Sequence, residues 1–94
     1  MPFELNTRVV RTHGLMAAPV DKEIVVLSLA SNHYVGLDEI GRRVWELLEA
    51  PHRTDEICQA LAGEFDAPFE QITSDVLPFL ADLESEGLLH AAEG

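Results

Sequence analysis

The segment from His33 to Leu48 constrains the fold most, because a short strand passes directly into a capped amphipathic helix. Tyr34 and Val35 favour the pleated, half-buried surface of a strand. Asp38 follows where a helix N-cap belongs, since its carboxylate can accept from backbone N–H groups one turn later. An apolar stripe at helical spacing comes next, formed by Ile40, Val44, Leu47 and Leu48 with Trp45 beside it. The pattern predicts a helix over about 38–50.

Two more helices are predicted downstream, over about 54–65 and 69–86. Thr54 is the predicted N-cap of the first, because a short polar side chain followed by acidic residues is typical of a helix start. The longer helix contains Pro78, which predicts a kink or a later start. Gly87 is its predicted stop.

The region before these helices is predicted to form a three-stranded antiparallel meander over about 8–37. Its strands are expected at Arg8–His13, Lys22–Leu29 and Asn32–Leu37. Residues 14–21 are expected to be a loop, because they include Gly14 and Pro19. Strands followed by three helices predict an α+β fold of the winged helix-turn-helix type, in a single domain spanning residues 1–94.

The distribution of charge limits the class of partner. Six Lys and Arg stand against 17 Asp and Glu, which gives a formal net charge of −11, and no basic residue follows Arg53. DNA-binding winged helices need cations on the recognition helix, because affinity comes largely from neutralising phosphates. The predicted third helix has only acidic charges. The sequence therefore disfavours nucleic acid and favours basic or neutral partners.

The sequence carries no pattern typical of a catalytic or metal site, so we expect neither an enzyme nor a cofactor. Cys58 is the only thiol, and it lies beside an apolar helical stripe, as a small buried side chain would. The four histidines do not have the spacing of metal ligands. A lone cysteine and the lack of a membrane or targeting segment predict a cytoplasmic protein with no membrane partner.

Peptide capture requires less chemistry than catalysis. If the third strand lies at an edge of the meander, its unpaired backbone groups can accept an extended peptide as a fourth strand. Pockets between that strand and the third helix would then provide specificity. A proline at Val35 is expected to weaken binding if the N–H of that residue is used.

A set of residues spread along two thirds of the chain carries a family resemblance. They are Tyr34, Leu37-Asp38, Gly41, Trp45-Glu46-Leu47-Leu48, Arg53-Thr54, Ile57, Asp75-Val76, Phe79-Leu80, Leu83 and Gly87-Leu88-Leu89. Their order and spacing resemble the PqqD-like family of leader-peptide recognition domains, which serve pathways of ribosomally made, modified peptides. Within it, the chain most resembles the stand-alone leader-binding half of the split lasso peptide maturation protease.

The resemblance implies that a precursor leader peptide lies antiparallel along the third strand and against the third helix. The candidate peptide-binding residues are Asn32, His33, Tyr34, Val35, Gly36, Leu37, Asp75, Val76, Phe79, Leu80, Asp82 and Leu83. The implied function is a non-catalytic adaptor for a separate maturation enzyme of the cysteine protease type. Two alternatives stay open: a peptide chaperone for a different peptide-modifying enzyme, and a winged-helix regulatory or interaction module.

Overall fold

A computed structural model describes residues 4–92 of the chain. Its elements, in chain order, are β1 (Arg8–Arg11), β2 (Met16–Val20), β3 (Glu23–Ser28), β4 (His33–Leu37), α1 (Glu39–Leu47), β5 (His52–Arg53), α2 (Thr54–Glu64), α3 (Phe69–Ser85) and β6 (Leu89–Ala91). Within this described part, no helix is long and apolar enough to cross a membrane. The α+β class predicted from the sequence is confirmed.

The strands form two antiparallel sheets, in the orders β5-β1-β6 and β2-β3-β4. The predicted meander is therefore wrong in its first strand, since β1 belongs to the other sheet. The predicted loop at 14–21 is also wrong, because Met16–Val20 forms β2. Pro19 is compatible with this strand because β2 lies at an edge, where a missing N–H breaks no ladder bond.

Two turns of different length set the register of the β2-β3-β4 sheet. Val20 pairs with Glu23 across a two-residue turn, in which Asp21 has a φ of 56°. Ser28 pairs with His33 across a longer turn, in which Asn32 also has a φ of 56°. Asp and Asn tolerate this left-handed conformation better than most residues, because their short polar side chains bond locally. Asn32 therefore belongs to the turn, whereas the sequence had predicted it as the first residue of the strand that is β4 in the structure.

The junction between β4 and α1 forms as the sequence predicts. Asp38 is the N-cap, and its Oδ1 accepts from the Gly41 N–H at 2.8 Å. The helix ends at Leu47, slightly before its predicted limit. Helix α2 differs at its start, because Arg53 is the N-cap and its N–H donates to Glu56 Oε1 at 2.9 Å. Thr54 is instead fully buried in the first turn, where its hydroxyl donates to the Thr7 carbonyl at 2.9 Å.

Helix α3 runs for 17 residues, and Pro78 lies inside it without delaying its start at Phe69. The helix buries one face against the rest of the core through Ile72, Val76, Leu80 and Leu83. Trp45 and Val26 lie in the same core, which joins α1 and the β2-β3-β4 sheet to α3. This packing places α3 alongside β4.

The Asp38 cap provides a test of the β4–α1 junction. Replacing Asp38 with Ala should lower the free energy of unfolding by about 1 kcal/mol, because the Gly41 N–H loses its side-chain acceptor. Asp38→Asn is the matched control, since asparagine caps helices about as well. Chemical denaturation of the three proteins measures the difference. Equal loss in both variants would show that the charge, and not the cap, stabilises the junction.

Candidate functional site

Within residues 4–92, strand β4 is an edge of its sheet and has β3 as its only partner strand. Its register opposite β3 runs from Ser28↔His33 to Ile24↔Leu37. In an antiparallel pair, residues alternate between those whose backbone N–H and C=O groups bond to the partner strand and those whose backbone groups point away from it. The alternation thus decides which backbone groups of β4 are free.

The β2–β3 hairpin fixes this alternation. A two-residue turn is closed by a hydrogen-bonded pair, here Val20 and Glu23. The next pair, Pro19 and Ile24, is then not hydrogen-bonded, which suits a proline that has no N–H. Ala18 and Val25 form the next bonded pair.

The same alternation extends across β3 to β4. Because Val25 bonds towards β2, its neighbour Val26 bonds towards β4 and pairs with Val35. Tyr34 and Gly36 therefore direct their N–H and C=O groups to the open edge. A proline at Val35 would therefore not test peptide binding, contrary to the expectation from the sequence, because the Val35 amide bonds to β3 within the sheet.

The opposite edge of the sheet, on β2, offers fewer backbone groups for hydrogen bonding. On β2 the outward backbone groups belong to Ala17 and Pro19, and Pro19 lacks an N–H. An incoming strand would lose one hydrogen bond there. Proline on an edge strand is a common way to prevent such pairing. Of the two edges, β4 is thus the better acceptor for a peptide.

The open edge of β4 borders two cavities beside α3. The first, of about 440 Å³, lies between β4, α1 and α3. It is lined by Gly36, Leu37, Asp38, Ile40, Gly41, Val44, Asp75, Val76 and Phe79. We call it the apolar cavity, because most of these side chains are hydrocarbon.

The second cavity, of about 460 Å³, lies between β4 and the C-terminal half of α3. It is lined by His33, Tyr34, Val35, Gly36, Leu37, Phe79, Asp82, Leu83, Ser85 and Glu86. We call it the acidic cavity, after its two carboxylates. The two cavities share Gly36, Leu37 and Phe79, so together they form one continuous groove along β4.

Ten of the twelve residues predicted from the sequence line this groove, and two do not. Asn32 lies in the turn before β4 and lines neither cavity. Leu80 is fully buried, because the helical period turns it into the core while Phe79 faces the groove. Val76 and Leu83 are also core residues, at 3% and 2% exposure, so they form the floor of the groove. Phe79 is half-buried and offers more surface.

Several residues of the groove were not predicted from the sequence. Ile40 had been assigned to the core, yet it is 40% exposed at the mouth of the apolar cavity. Gly41 had been noted only as one of the residues that carry the family resemblance, but the structure gives it a steric role: a Cβ there would lie 3.1 Å from Phe79 Cζ. Glu86 also lines the groove, and its Oε2 lies 2.6 Å from Nδ1 of His33.

The groove is electrostatically negative along the helix side. Asp75 and Asp82 are exposed on α3, and Glu86 follows at its end. Helix α3 contains no Lys or Arg that could offset them. The His33–Glu86 contact joins the start of β4 to the end of α3 and closes the groove at that end. The arrangement favours a peptide with an apolar side chain in the apolar cavity and a basic or polar one near Asp82.

The remaining candidate chemistry does not form a site. Cys58 is fully buried, and burial raises the pKa of its thiol, which disfavours the reactive thiolate. Among residues 4–92, no three His, Cys, Asp or Glu side chains are grouped so that they could hold a metal ion.

A larger cavity of about 730 Å³ lies between β1 and the end of α1. Arg11 occupies part of this region, with its guanidinium carbon 5.0 Å from the centre of the Trp45 ring. Strand β1 is the central strand of its sheet and already has partners on both sides. The β1 wall of this cavity therefore offers no open strand edge, and Ala17 on its other side belongs to the β2 edge that Pro19 interrupts.

Comparison with known proteins identifies the family of the chain. Residues 23–89 match the family model described as coenzyme PQQ synthesis protein D (PqqD). The chain belongs to the PqqD family. The matched segment begins at β3 and ends in β6, so it includes both walls of the groove.

Two individual relatives match most of the chain. A PqqA binding protein from Gluconobacter oxydans is 34% identical over 93 residues, covering 79% of this chain and 96% of that protein. A PqqA binding protein from Bradyrhizobium diazoefficiens is 29% identical over 89 residues, covering 95% of this chain and 85% of that protein.

Two solved structures share the fold. TbiB1, in complex with the TbiA(beta) leader peptide, is 32% identical with a TM-score of 0.80, covering 90% of this chain and 99% of that one. The PqqD truncation of Methylobacterium extorquens PqqCD, a RiPP recognition element, is 23% identical with a TM-score of 0.79, covering 94% of each chain.

The Gly41–Phe79 contact provides a test of the groove. Gly63→Ala in α2 should raise the free energy of unfolding by about 0.5–1 kcal/mol, because a Cβ there meets nothing within 4 Å and alanine favours a helix. Gly41→Ala should gain less or lose stability, because its Cβ would lie 3.1 Å from Phe79 Cζ and 3.2 Å from Leu37 Cβ. Denaturant unfolding of both variants measures the contrast. An equal gain would mean that α3 is not held against Gly41.

Proposed function

We propose that this chain is a non-catalytic adaptor that binds the leader of a ribosomally synthesised precursor peptide as a fourth strand on β4. Residues 1–94 would act as one leader-binding domain, and the bound leader would be presented to a separate leader peptidase of a lasso peptide pathway. The observation that carries the proposal is the open edge of β4, where Tyr34 and Gly36 face a groove bordered by α3.

Backbone pairing would supply the register of the complex. Tyr34 and Gly36 each offer one N–H and one C=O at the open edge, so an antiparallel strand can form hydrogen bonds at both residues. Each such bond contributes a net of about 0.5–1.5 kcal/mol. These bonds do not depend on the leader's side chains, so specificity must come from the groove.

Side-chain anchoring would supply that specificity. Alternate residues of an added strand point to the same side, so one set would face α3. The apolar cavity between Ile40 and Phe79 can receive an aliphatic or aromatic side chain. Burying one such side chain is worth about 1.5–3 kcal/mol. Asp75 and Asp82 would attract a basic leader residue from the rim of the groove.

A solved structure and two relatives support leader binding. TbiB1, which shares this fold at 32% identity, has been solved with a leader peptide. The two curated relatives are named for binding PqqA. The lasso pathway and the peptidase partner rest on the resemblance in the sequence to the stand-alone half of the split protease.

An adaptor for a different peptide-modifying enzyme is the second candidate, and the PqqA-binding relatives favour it. It would use the same β4 edge and differ only in the peptide and enzyme. Titration with leader peptides from both kinds of pathway separates the two candidates. A DNA-binding module is disfavoured, because α3 would bring only negative charge to the phosphates.

Calorimetry with a synthetic leader from the same gene cluster tests the proposal. The unmodified protein should bind this leader with a Kd in the micromolar range or lower. Gly36→Pro should weaken binding at least tenfold, because it removes an N–H from the open edge without removing a bond to β3. Gly36→Ala is the matched control, since it keeps that N–H and its Cβ meets nothing within 4 Å.

Circular dichroism and thermal unfolding should accompany these titrations, so that loss of binding is not confused with loss of fold. No binding by the unmodified protein at tens of micromolar would reject leader recognition. Equal affinity of a folded Gly36→Pro variant would reject strand addition at β4 while leaving leader recognition in place.

A further inference from the structure

The cavity of about 730 Å³ between β1 and the end of α1 contains Arg11, and we call it the Arg11 cavity. Among the Lys and Arg residues of 4–92, Arg11 alone is half-buried without an ion pair. Arg42 and Arg43 of α1 are half-buried as well, but both pair with Glu46. A buried charge is costly unless an opposite charge or hydrogen bonds compensate it. The Arg11 cavity therefore has the charge to receive an anion.

The structure holds the Arg11 guanidinium in a defined orientation. Its carbon lies 5.0 Å from the centre of the Trp45 ring, and its Nη1 donates to the Trp45 carbonyl at 3.3 Å. That carbonyl lies in the last turn of α1, where the helix dipole favours a cation. This contact occupies one N–H of the guanidinium. The rest of its planar fork matches the two oxygens of a carboxylate.

Backbone groups at the same cavity favour a peptide as the ligand. Ala17 lines the cavity, and the register of β2 directs the Ala17 N–H and C=O to the open side of that strand. A free donor and acceptor on one residue are typical of a site that bonds to another polypeptide backbone. The cavity thus combines a cation for an acidic side chain with backbone groups for the chain that carries it.

We propose that the Arg11 cavity binds an Asp or Glu side chain of the precursor peptide, in the segment that follows the leader strand on β4. This inference rests on the proposed function. It adds a second contact to the precursor, opposite in charge to the groove beside α3.

The direction of the leader strand brings this segment towards the Arg11 cavity. An antiparallel leader runs from the Leu37 end of β4 to the His33 end, where His33 contacts Glu86. Gly87 follows Glu86, and its carbonyl accepts from the Thr12 hydroxyl at 2.8 Å. Thr12 begins the connection from β1 to β2 and lines the Arg11 cavity. The precursor would therefore leave the groove beside the loop that borders this cavity.

The net charge of the chain favours a tethered carboxylate over a free one. A dissolved anion or a separate acidic protein would approach against a net charge of −11. A carboxylate linked to a bound leader is instead present at an effective concentration on the order of millimolar. One charge-assisted contact with Arg11 can then hold it.

Two synthetic peptides from the precursor in the same gene cluster test this proposal. The first ends with the strand that pairs with β4, and the second continues for about ten more residues, which span roughly 30 Å when extended. Calorimetry should show that the longer peptide binds at least threefold tighter. Trp45 is the one Trp of the chain, so its fluorescence should change with the longer peptide and not with the shorter one. Replacing the acidic residues of the extension with Asn or Gln should remove both effects.

Three variants assign the effect to the cavity. Arg11→Gln should bind both peptides with the affinity of the shorter one. Arg8→Gln is the matched control, because Arg8 is an exposed arginine of the same strand outside the cavity, and it should keep the threefold gain. Glu49→Gln should increase the gain, because it removes an exposed carboxylate from the lining of the cavity. Circular dichroism should confirm the fold of each variant, and the amide peptides give the same test if Arg11→Gln unfolds.

The outcomes separate this inference from the proposed function. Equal affinity of the unmodified protein for the two peptides would overturn the Arg11 cavity as a carboxylate site and leave leader binding on β4 standing. A folded Arg11→Gln variant that keeps the gain, or an equal loss in Arg8→Gln, would overturn it as well. An extension with no Asp or Glu would do the same. Failure of the unmodified protein to bind either peptide would instead overturn the proposed function.

Discussion

The close approach of α3 to the β4–α1 junction determines the width of the groove. Phe79 packs against Gly41 so closely that a single Cβ would come within 3.1 Å of its ring. Gly41 is also the residue whose N–H donates to the Asp38 cap. One residue therefore links the strand that ends at Leu37, the helix that follows and the helix that faces them. The position of the open edge relative to its opposite wall depends on this contact.

The rest of the architecture keeps that junction in place. The β5-β1-β6 sheet gathers the beginning, middle and end of the described chain into one layer, and β1 at its centre is paired on both sides. The core between the elements is almost entirely hydrocarbon, with Thr54 as its one buried polar residue within 4–92. Polar and charged groups are thereby left to the surfaces, where the carboxylates of α3 give the groove its sign.

Helical periodicity was the most informative signal in the sequence. It located all three helices, and the Asp38 cap was identified because its side chain acts on residues only one turn away. The same periodicity misplaced Ile40. Successive helical residues rotate by about 100°, and Gly41, Val44, Trp45 and Leu48 centre the buried face well to one side of Ile40. Trp45 was treated as flanking the stripe when it lies within it.

The sheets were harder to predict, because strand pairing depends on residues far apart in the sequence. Pro19 indicated a loop, and nothing local distinguishes a loop from an edge strand that tolerates proline. The association of β1 with β5 and β6 joins Val9 to His52 and Ala91, which no local pattern reveals. The free backbone groups of β4 could be identified only once the register was known. Asn32 and Leu80 fall outside the groove for two different reasons: Asn32 lies in the turn before β4, and the helical period turns Leu80 into the core.

Pro19 also bears on how the molecule behaves at high concentration. A sheet that lengthens without limit requires each copy to offer two complementary edges, so that the last strand of one meets the first strand of the next. Here one of those edges lacks a donor, because Pro19 points its nitrogen outwards. Joining through β4 alone can close a pair of molecules, whereas growth through β2 would forgo a hydrogen bond at Pro19. Pro19 in this way opposes growth of the sheet into a fibre while the β4 edge stays open.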